Sequence, residues 1–143
     1  MIKVILYTDG AARGNPGPAA IGVVLTDAQG NEIEAFGERI GRTTNNEAEY
    51  RALLRGLERA AQHAKRRSGE ASVLVRTDSE LLARQLNGAY RVRAANLKSL
   101  HDQARRALAR FKHVTVTHIP REENRRADAL ANEALDGGRK TED

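Results

Sequence analysis

Two apolar runs in this chain end in the same way. Ile2 to Tyr7 leads into Thr8-Asp9, and Ala71 to Thr77 closes on Thr77 and leads into Asp78-Ser79. Both are short, partly β-branched and closed by turn formers, the pattern of buried strands. As the least polar strands of the chain, they are expected side by side, as a parallel pair at the centre of a sheet. Ligands of such sheets bind beyond the carboxyl ends of the strands. Asp9 and Asp78 are expected to meet there.

The rest of the chain can be fitted around that pair. Gly10 to Pro18 carries three glycines and two prolines. Glycine admits close backbone approach and proline stiffens the loop, which suits a cation and a phosphate beside Asp9. An Asp-Gly turn closing a hairpin explains the same residues. Ala19 to Thr26 reads as a second strand, Asp27 to Asn31 as a hairpin turn and Glu32 to Ile40 as a third strand, giving an antiparallel meander. Tyr50, Leu53, Leu54, Leu57, Ala61 and Ala64 then fall at helical spacing, so Asn46 to about Arg66 is an amphipathic helix. Thr44 with Glu47 fits a capping box, which leaves Glu49 free beside the apolar stripe. Asn46 with Glu49 is the alternative cap.

A short helix from Glu80 to Leu86 follows the fourth strand, with Asp78 or Ser79 as its cap and Asn87-Gly88 as its stop. Gly88 to Arg93 is a basic connector. Leu97, Leu100, Ala104, Leu108 and Phe111 mark another helix, whose other face carries Lys98, Arg105, Arg106 and Arg110. Val114 to Ile119 alternates as a fifth strand, halted by Pro120. Arg121 to Asn124 reads as an exposed polar loop. Ala127, Leu130, Ala131, Ala134 and Leu135 define a last helix, stopped by Gly137-Gly138. Asp128 lies near its first turn, where an acid also suits the helix dipole. The order β-β-β-α-β-α-α-β-α describes one α/β domain over residues 1–137, with a disordered tail over 138–143.

Composition narrows the chemistry. The 143 residues carry a net charge of +5, with a pI near 10.0. That balance favours an anionic partner such as nucleic acid. The absence of cysteine excludes disulfides, zinc-thiolate sites and cysteine nucleophiles. Aromatics at 3% leave little for base-stacking platforms. With neither a signal peptide nor an apolar run long enough for a bilayer, a cytoplasmic protein without a membrane partner is expected, monomeric by default. Asp9, Glu49, Asp78 and Asp128 each fall at a strand end or a helix start. Carboxylates gathered in one place repel one another, and hard divalent cations relieve that repulsion. Magnesium or manganese suits such a set, and two ions roughly 4 Å apart form the clamp used in phosphodiester hydrolysis.

Four segments together resemble type 1 ribonuclease H: Thr8-Asp9-Gly10 with Gly14-Asn15-Pro16-Gly17-Pro18, Thr44 to Tyr50, Thr77-Asp78-Ser79, and Arg121 to Asn124 with Ala127 to Asn132. The resemblance covers almost the whole chain in order and spacing. It implies the ribonuclease H-like fold, a mixed five-stranded sheet with helices on both faces. It implies that Asp9, Glu49, Asp78 and Asp128 bind two Mg2+ ions, with Mn2+ as an alternative. The implied activity is cleavage of the RNA strand of RNA/DNA hybrids, leaving 5′-phosphate and 3′-hydroxyl ends. Asn15, Asn46 and Ser79 are then expected at the hybrid backbone, Thr44 and Asn45 at a DNA-strand phosphate, and Gly10 and Arg13 among the other substrate-binding residues. Longer members insert a basic protrusion where this chain runs straight through Tyr90-Arg91-Val92-Arg93, and Arg91 and Arg93 stand in for part of that grip. Longer members also place a histidine before the last helix. In this chain the implied assistant is Arg121, as in shorter members, with His118 on the preceding strand as the other candidate.

Two other functions fit the same architecture. One is a nucleic-acid-binding domain that keeps the fold without catalysis. The intact acidic quartet argues against it, because binding alone gains nothing from repelling charges near phosphates. The other is a different nuclease, an integrase or a phosphatase of related fold, which the Asn45-Asn46-x-x-Glu49 segment and the glycine loop fit poorly.

Overall fold

The computed structural model of the chain describes residues 1–140, with side chains through residue 137. Five strands and four helices follow in order: β1 (Ile2–Ala12), β2 (Gly17–Asp27), β3 (Glu32–Thr43), α1 (Asn45–Arg66), β4 (Ala71–Thr77), α2 (Glu80–Leu86), α3 (Ala95–Leu108), β5 (His113–His118) and α4 (Arg125–Lys140). A 3-10 turn at Arg121–Glu123 precedes α4. The strands form one mixed sheet in the order β3-β2-β1-β4-β5. β1 pairs in parallel with β4 at the centre, as the two matching apolar runs predict.

The first three strands are longer than their apolar cores suggest. The apolar run of β1 ends at Tyr7, but the strand continues to Ala12, because β2 pairs with it as far as Ala12–Ala19. Its pairing with β4 stops at Thr8–Thr77. Asp9 is therefore the first β1 residue beyond that parallel ladder, although it lies inside a strand rather than at its tip. The glycine loop shrinks accordingly to a tight turn around Arg13 to Pro16, closed by the Arg13 N–H donating to the Pro18 carbonyl at 2.8 Å. The last helix runs through Gly137-Gly138 to Lys140 rather than stopping there, so the expected tail begins as helix. Residues 141–143 lie outside the described residues. Phe111 falls after α3, in the turn to β5, and is buried there.

Helices cover both faces of the sheet. Leu6, Ile21, Val23 and Leu25 pack with Leu53 and Leu57 of α1 in the main core, together with the buried face of α3. α4 lies across the other face of β1, β2 and β3. β2 is buried along almost its whole length, which is why its sequence is nearly unbroken in apolar and small residues. At Gly22 a Cβ would run into the Ala127 carbonyl, so glycine lets the start of α4 approach the sheet backbone closely. Tyr50 donates from its buried hydroxyl to Gln85 Oε1 at 2.6 Å, fastening α1 to α2. Burial of that phenol pushes its pKa up to about 12.

Candidate active site

Three elements deliver carboxylates to one place. Asp9 comes from β1, opposite Gly22 of β2, and is buried. Asp78 follows the last residue of β4, and Ser79 beside it caps α2 by accepting from the Leu82 N–H at 3.2 Å. Glu49 comes from the first turns of α1. Each of the three offers an oxygen, and these oxygens lie within 4.8 Å of one another. Asp128, from the first turn of α4, adjoins this triad, near enough to raise the proton affinity of Asp9.

The start of α1 separates the two candidate glutamates. Thr44 caps the helix, its hydroxyl accepting from the Glu47 N–H at 3.2 Å. The return arm of the expected capping box is absent. The Glu47 carboxylate instead accepts from the Thr43 hydroxyl and from Asn96 Nδ2, tying α1 to β3 and α3. Glu49 points the other way, and its Oε1 accepts from the Gly10 N–H at 2.9 Å. Gly10 is packed so closely on Ala48 and Glu49 that a Cβ would collide with their backbone. Its bare Cα thus admits α1, and with it Glu49, to the strand.

The crowding appears in the proton affinities. Burial, then the charges of Asp78 and Asp128, push Asp9 from its ordinary 3.8 up to about 8, while Arg121 opposes the rise. Glu49 is held well above its usual value by burial first, then by Asp9 and Asp78, with the Gly10 N–H acting against them. Such a group binds protons or cations in preference to standing bare. It offers only carboxylate oxygens, the donor set of hard divalent ions and a poor one for zinc. The residues therefore fit Mg2+ or Mn2+.

Around the carboxylates, Asn15 and Asn45 lock the β1–β2 turn to α1. Asn15 Oδ1 accepts from the Asn45 N–H at 2.9 Å, and Asn45 Oδ1 from the Ala12 N–H at 3.1 Å. Asn46 is exposed beside them. Arg13 reaches across to α4, meeting Asn132 Oδ1 at 3.2 Å and Asp136 Oδ1 at 3.1 Å. Arg121 Nη2 lies 3.8 Å from Asp128 Oδ1 and is largely exposed. His118 stays on β5, paired with Thr77 and open to solvent. Arg91 and Arg93 lie on the connector before α3; Arg91 lines a groove of about 700 Å3 with Tyr90, Lys98, His101 and Arg105. Neither arginine contacts the carboxylate group among the described residues.

Asn124 corrects the expectation of an exposed loop from Arg121 onward. It is 1% exposed, and its Nδ2 donates to the Thr8 carbonyl at 2.9 Å. Its own carbonyl accepts from the Asp128 N–H at 3.1 Å. One buried side chain thus pins the start of α4, and the Asp128 backbone with it, to the strand residue before Asp9. The sequence carries no signal for this inward turn: an asparagine before a helix reads as a cap, yet its Oδ1 meets no partner among the described residues.

The family model described as "Reverse transcriptase-like" matches residues 7–134. A ribonuclease HI of Halobacterium salinarum is 47% identical over 94% of this chain and 65% of its own length, so the chain spans less than two thirds of that relative. A ribonuclease H of Pseudomonas fluorescens is 36% identical, with 94% of this chain and 91% of the relative covered. A crystal structure of LC11-RNase H1 in complex with an RNA/DNA hybrid is 46% identical and superposes with a TM-score of 0.88, covering 94% of this chain and 98% of that one. The strand order, the converging carboxylates and these matches lead to one assignment: the chain belongs to the type 1 ribonuclease H family.

Proposed function

We propose that this chain is an endoribonuclease that hydrolyses the RNA strand of RNA/DNA hybrids with the help of two divalent cations. The observation that carries the proposal is the Asp9–Glu49–Asp78 group, with oxygens within 4.8 Å of one another. The proton affinities of Asp9 and Glu49 are raised by burial and then by neighbouring carboxylates, which suits a cation trap rather than a structural ion-pair network. The proposal extends to this chain the ligand of the LC11-RNase H1 structure, which holds an RNA/DNA hybrid.

Asp9, Glu49, Asp78 and Asp128 would hold the ions, Mg2+ in the first instance and Mn2+ as an alternative. Bound cations supply Lewis-acid activation of water and stabilisation of the departing oxygen. In the net reaction a water oxygen bonds to phosphorus and the bond from phosphorus to the 3′-oxygen breaks. The 3′-oxygen ends protonated as a hydroxyl, and the phosphate remains on the 5′ side of the next nucleotide. Gly10 holds Glu49 in place through its N–H. Arg121 brings a positive charge to the Asp9–Asp128 edge and assists there. Asn15, Asn46, Ser79 and Arg13 contact the hybrid backbone, and Thr44 with Asn45 takes a DNA-strand phosphate. Arg91 and Arg93 add a more distant electrostatic grip. Discrimination for RNA rests on 2′-hydroxyls and groove shape rather than base identity. Residues 1–137 form the working domain, acting as a monomer in the cytoplasm.

An assay on end-labelled RNA/DNA, RNA/RNA and DNA/DNA duplexes, with Mg2+ and with EDTA, tests this. Cleavage of the hybrid RNA strand with Mg2+, lost in EDTA, is expected. Equal cutting of the DNA duplex, or undiminished cutting in EDTA, overturns the proposal.

A further inference from the structure

Asp128 is the outlying member of the carboxylate group. It does not share the 4.8 Å triad, and its side chain is 32% exposed. Burial therefore does little to fix its carboxylate. Arg121, at 3.8 Å, is too distant to orient it by hydrogen bonding. Asn132, one turn further along α4, does reach it: Nδ2 donates to the Asp128 carbonyl at 2.9 Å and to Asp128 Oδ1 at 3.2 Å.

The other end of the same amide faces the β1–β2 turn. Asn132 Oδ1 accepts from Arg13 Nη2 at 3.2 Å, and that nitrogen also meets Asp136 Oδ1 at 3.1 Å. An asparagine amide has donors at one end and an acceptor at the other, whereas a guanidinium only donates. Turned the other way, the amide would set its NH2 against the guanidinium and its oxygen against the Asp128 carboxylate and carbonyl. Arg13 thus selects the orientation that presents a donor to Asp128.

We propose that Arg13 and Asn132 form a positioning relay for Asp128. Arg13, held by Asp136, sets the orientation of the Asn132 amide, and the amide aims the Asp128 carboxylate at the cation site beside Asp9. The inference rests on the nuclease function proposed above. It makes Asn132 a positioning residue that acts through Asp128, and gives Arg13 a second role besides substrate contact.

The test uses Asn132→Leu, which keeps the approximate size without hydrogen bonds, Arg13→Met, and the double variant. Three quantities are measured: Mg2+ affinity of the substrate-free protein by calorimetry, kcat and KM on a hybrid, and thermal melting. Asn132→Leu is expected to weaken Mg2+ binding and kcat by about tenfold, the range seen when partners of metal ligands are removed, with KM within about twofold. Arg13→Met is expected to lower both in the same direction by less, and the double variant to be no worse in either than Asn132→Leu. Unchanged Mg2+ affinity and kcat in Asn132→Leu, or single losses that multiply in the double variant, overturn the relay. If Asn132→Leu melts far below the wild type, Asn132→Asp decides by the same criteria, since it keeps the acceptor for Arg13 and loses the donor to Asp128. A wild-type chain that cuts no hybrid overturns the nuclease function alone, because the Mg2+ affinities still decide the relay.

Discussion

Asp9 and Gly22 are paired across the β1–β2 ladder and share the face of the sheet on which α4 lies. The glycine clears the space that lets Ala127 approach, and the next residue of α4 is Asp128. A backbone contact in the core thus sets the distance between two carboxylates. Gly22→Ala is expected to push the start of α4 outward, costing about 3 kcal/mol as an overpacked contact. Hybrid cleavage should fall with it, even in the fraction that stays folded. Urea unfolding and kcat measured on the same preparation check both effects; a variant as stable and as active as wild type would contradict this coupling of packing to catalysis.

Stability should respond to pH and cation together. The Asp9 carboxyl titrates near 8 in the folded protein against 3.8 ordinarily, so its neutral form is favoured by folding. Its contribution is fully present below its unfolded value and is lost as pH rises through the folded value. Glu49, raised in the same sense, adds to the loss. Without cation, melting temperature is expected to fall between roughly pH 5 and pH 8, and Mg2+ to restore it mainly at the upper end. Asp9→Asn should stay folded, flatten this pH dependence and abolish hydrolysis. Scanning calorimetry with and without Mg2+ tests the first part, and the hybrid assay the second. Stabilisation by Mg2+ that is larger near pH 5 than near pH 8 would contradict the linkage of proton and cation at Asp9.

Arg121 separates electrostatic assistance from structure. It is 80% exposed, so Arg121→Ala is expected to change stability by less than about 0.5 kcal/mol. The guanidinium is the charge that pulls the Asp9 proton affinity down. Without it Asp9 binds its proton more tightly, and the rise of hybrid cleavage with pH should move to higher pH. His118→Ala, on an exposed strand position, is expected to leave that profile in place. A pH–rate series on the two variants distinguishes them, and a displaced profile for His118→Ala would reverse their roles.

The parts of this fold that can be read from the chain are those with a period. The runs at Ile2 and Ala71 announce buried strands, and Tyr50 to Ala64 announces α1, because apolar spacing reflects which face is covered. Glu49 can be preferred to Glu47 from its place after Asn45-Asn46 in the family resemblance; the capping box is only half formed, with the Glu47 carboxylate turned to Thr43 and Asn96. The ends of β1 and β2 are not legible: the residues beyond Tyr7 are small and glycine-rich, and only pairing with a partner strand keeps them extended. Asn124 is hidden for the opposite reason. It stands among Arg121, Glu122 and Glu123, and nothing in a polar run distinguishes the one side chain that turns inward. The bond from Arg13 to Asn132 spans most of the sequence and carries no local signature at all.

The placement of α4 has a consequence for synthesis. A growing polypeptide leaving the ribosome presents Asp9, Glu49 and Asp78 long before Asp128, and β2 keeps one side bare until the segment around Ala127 has emerged. The cation trap is therefore unfinished until that segment has been made. On the proposed function, nuclease competence would arrive together with closure of the second layer, so a chain that loses its last helix should be inert rather than weakly destructive to the nucleic acid around it.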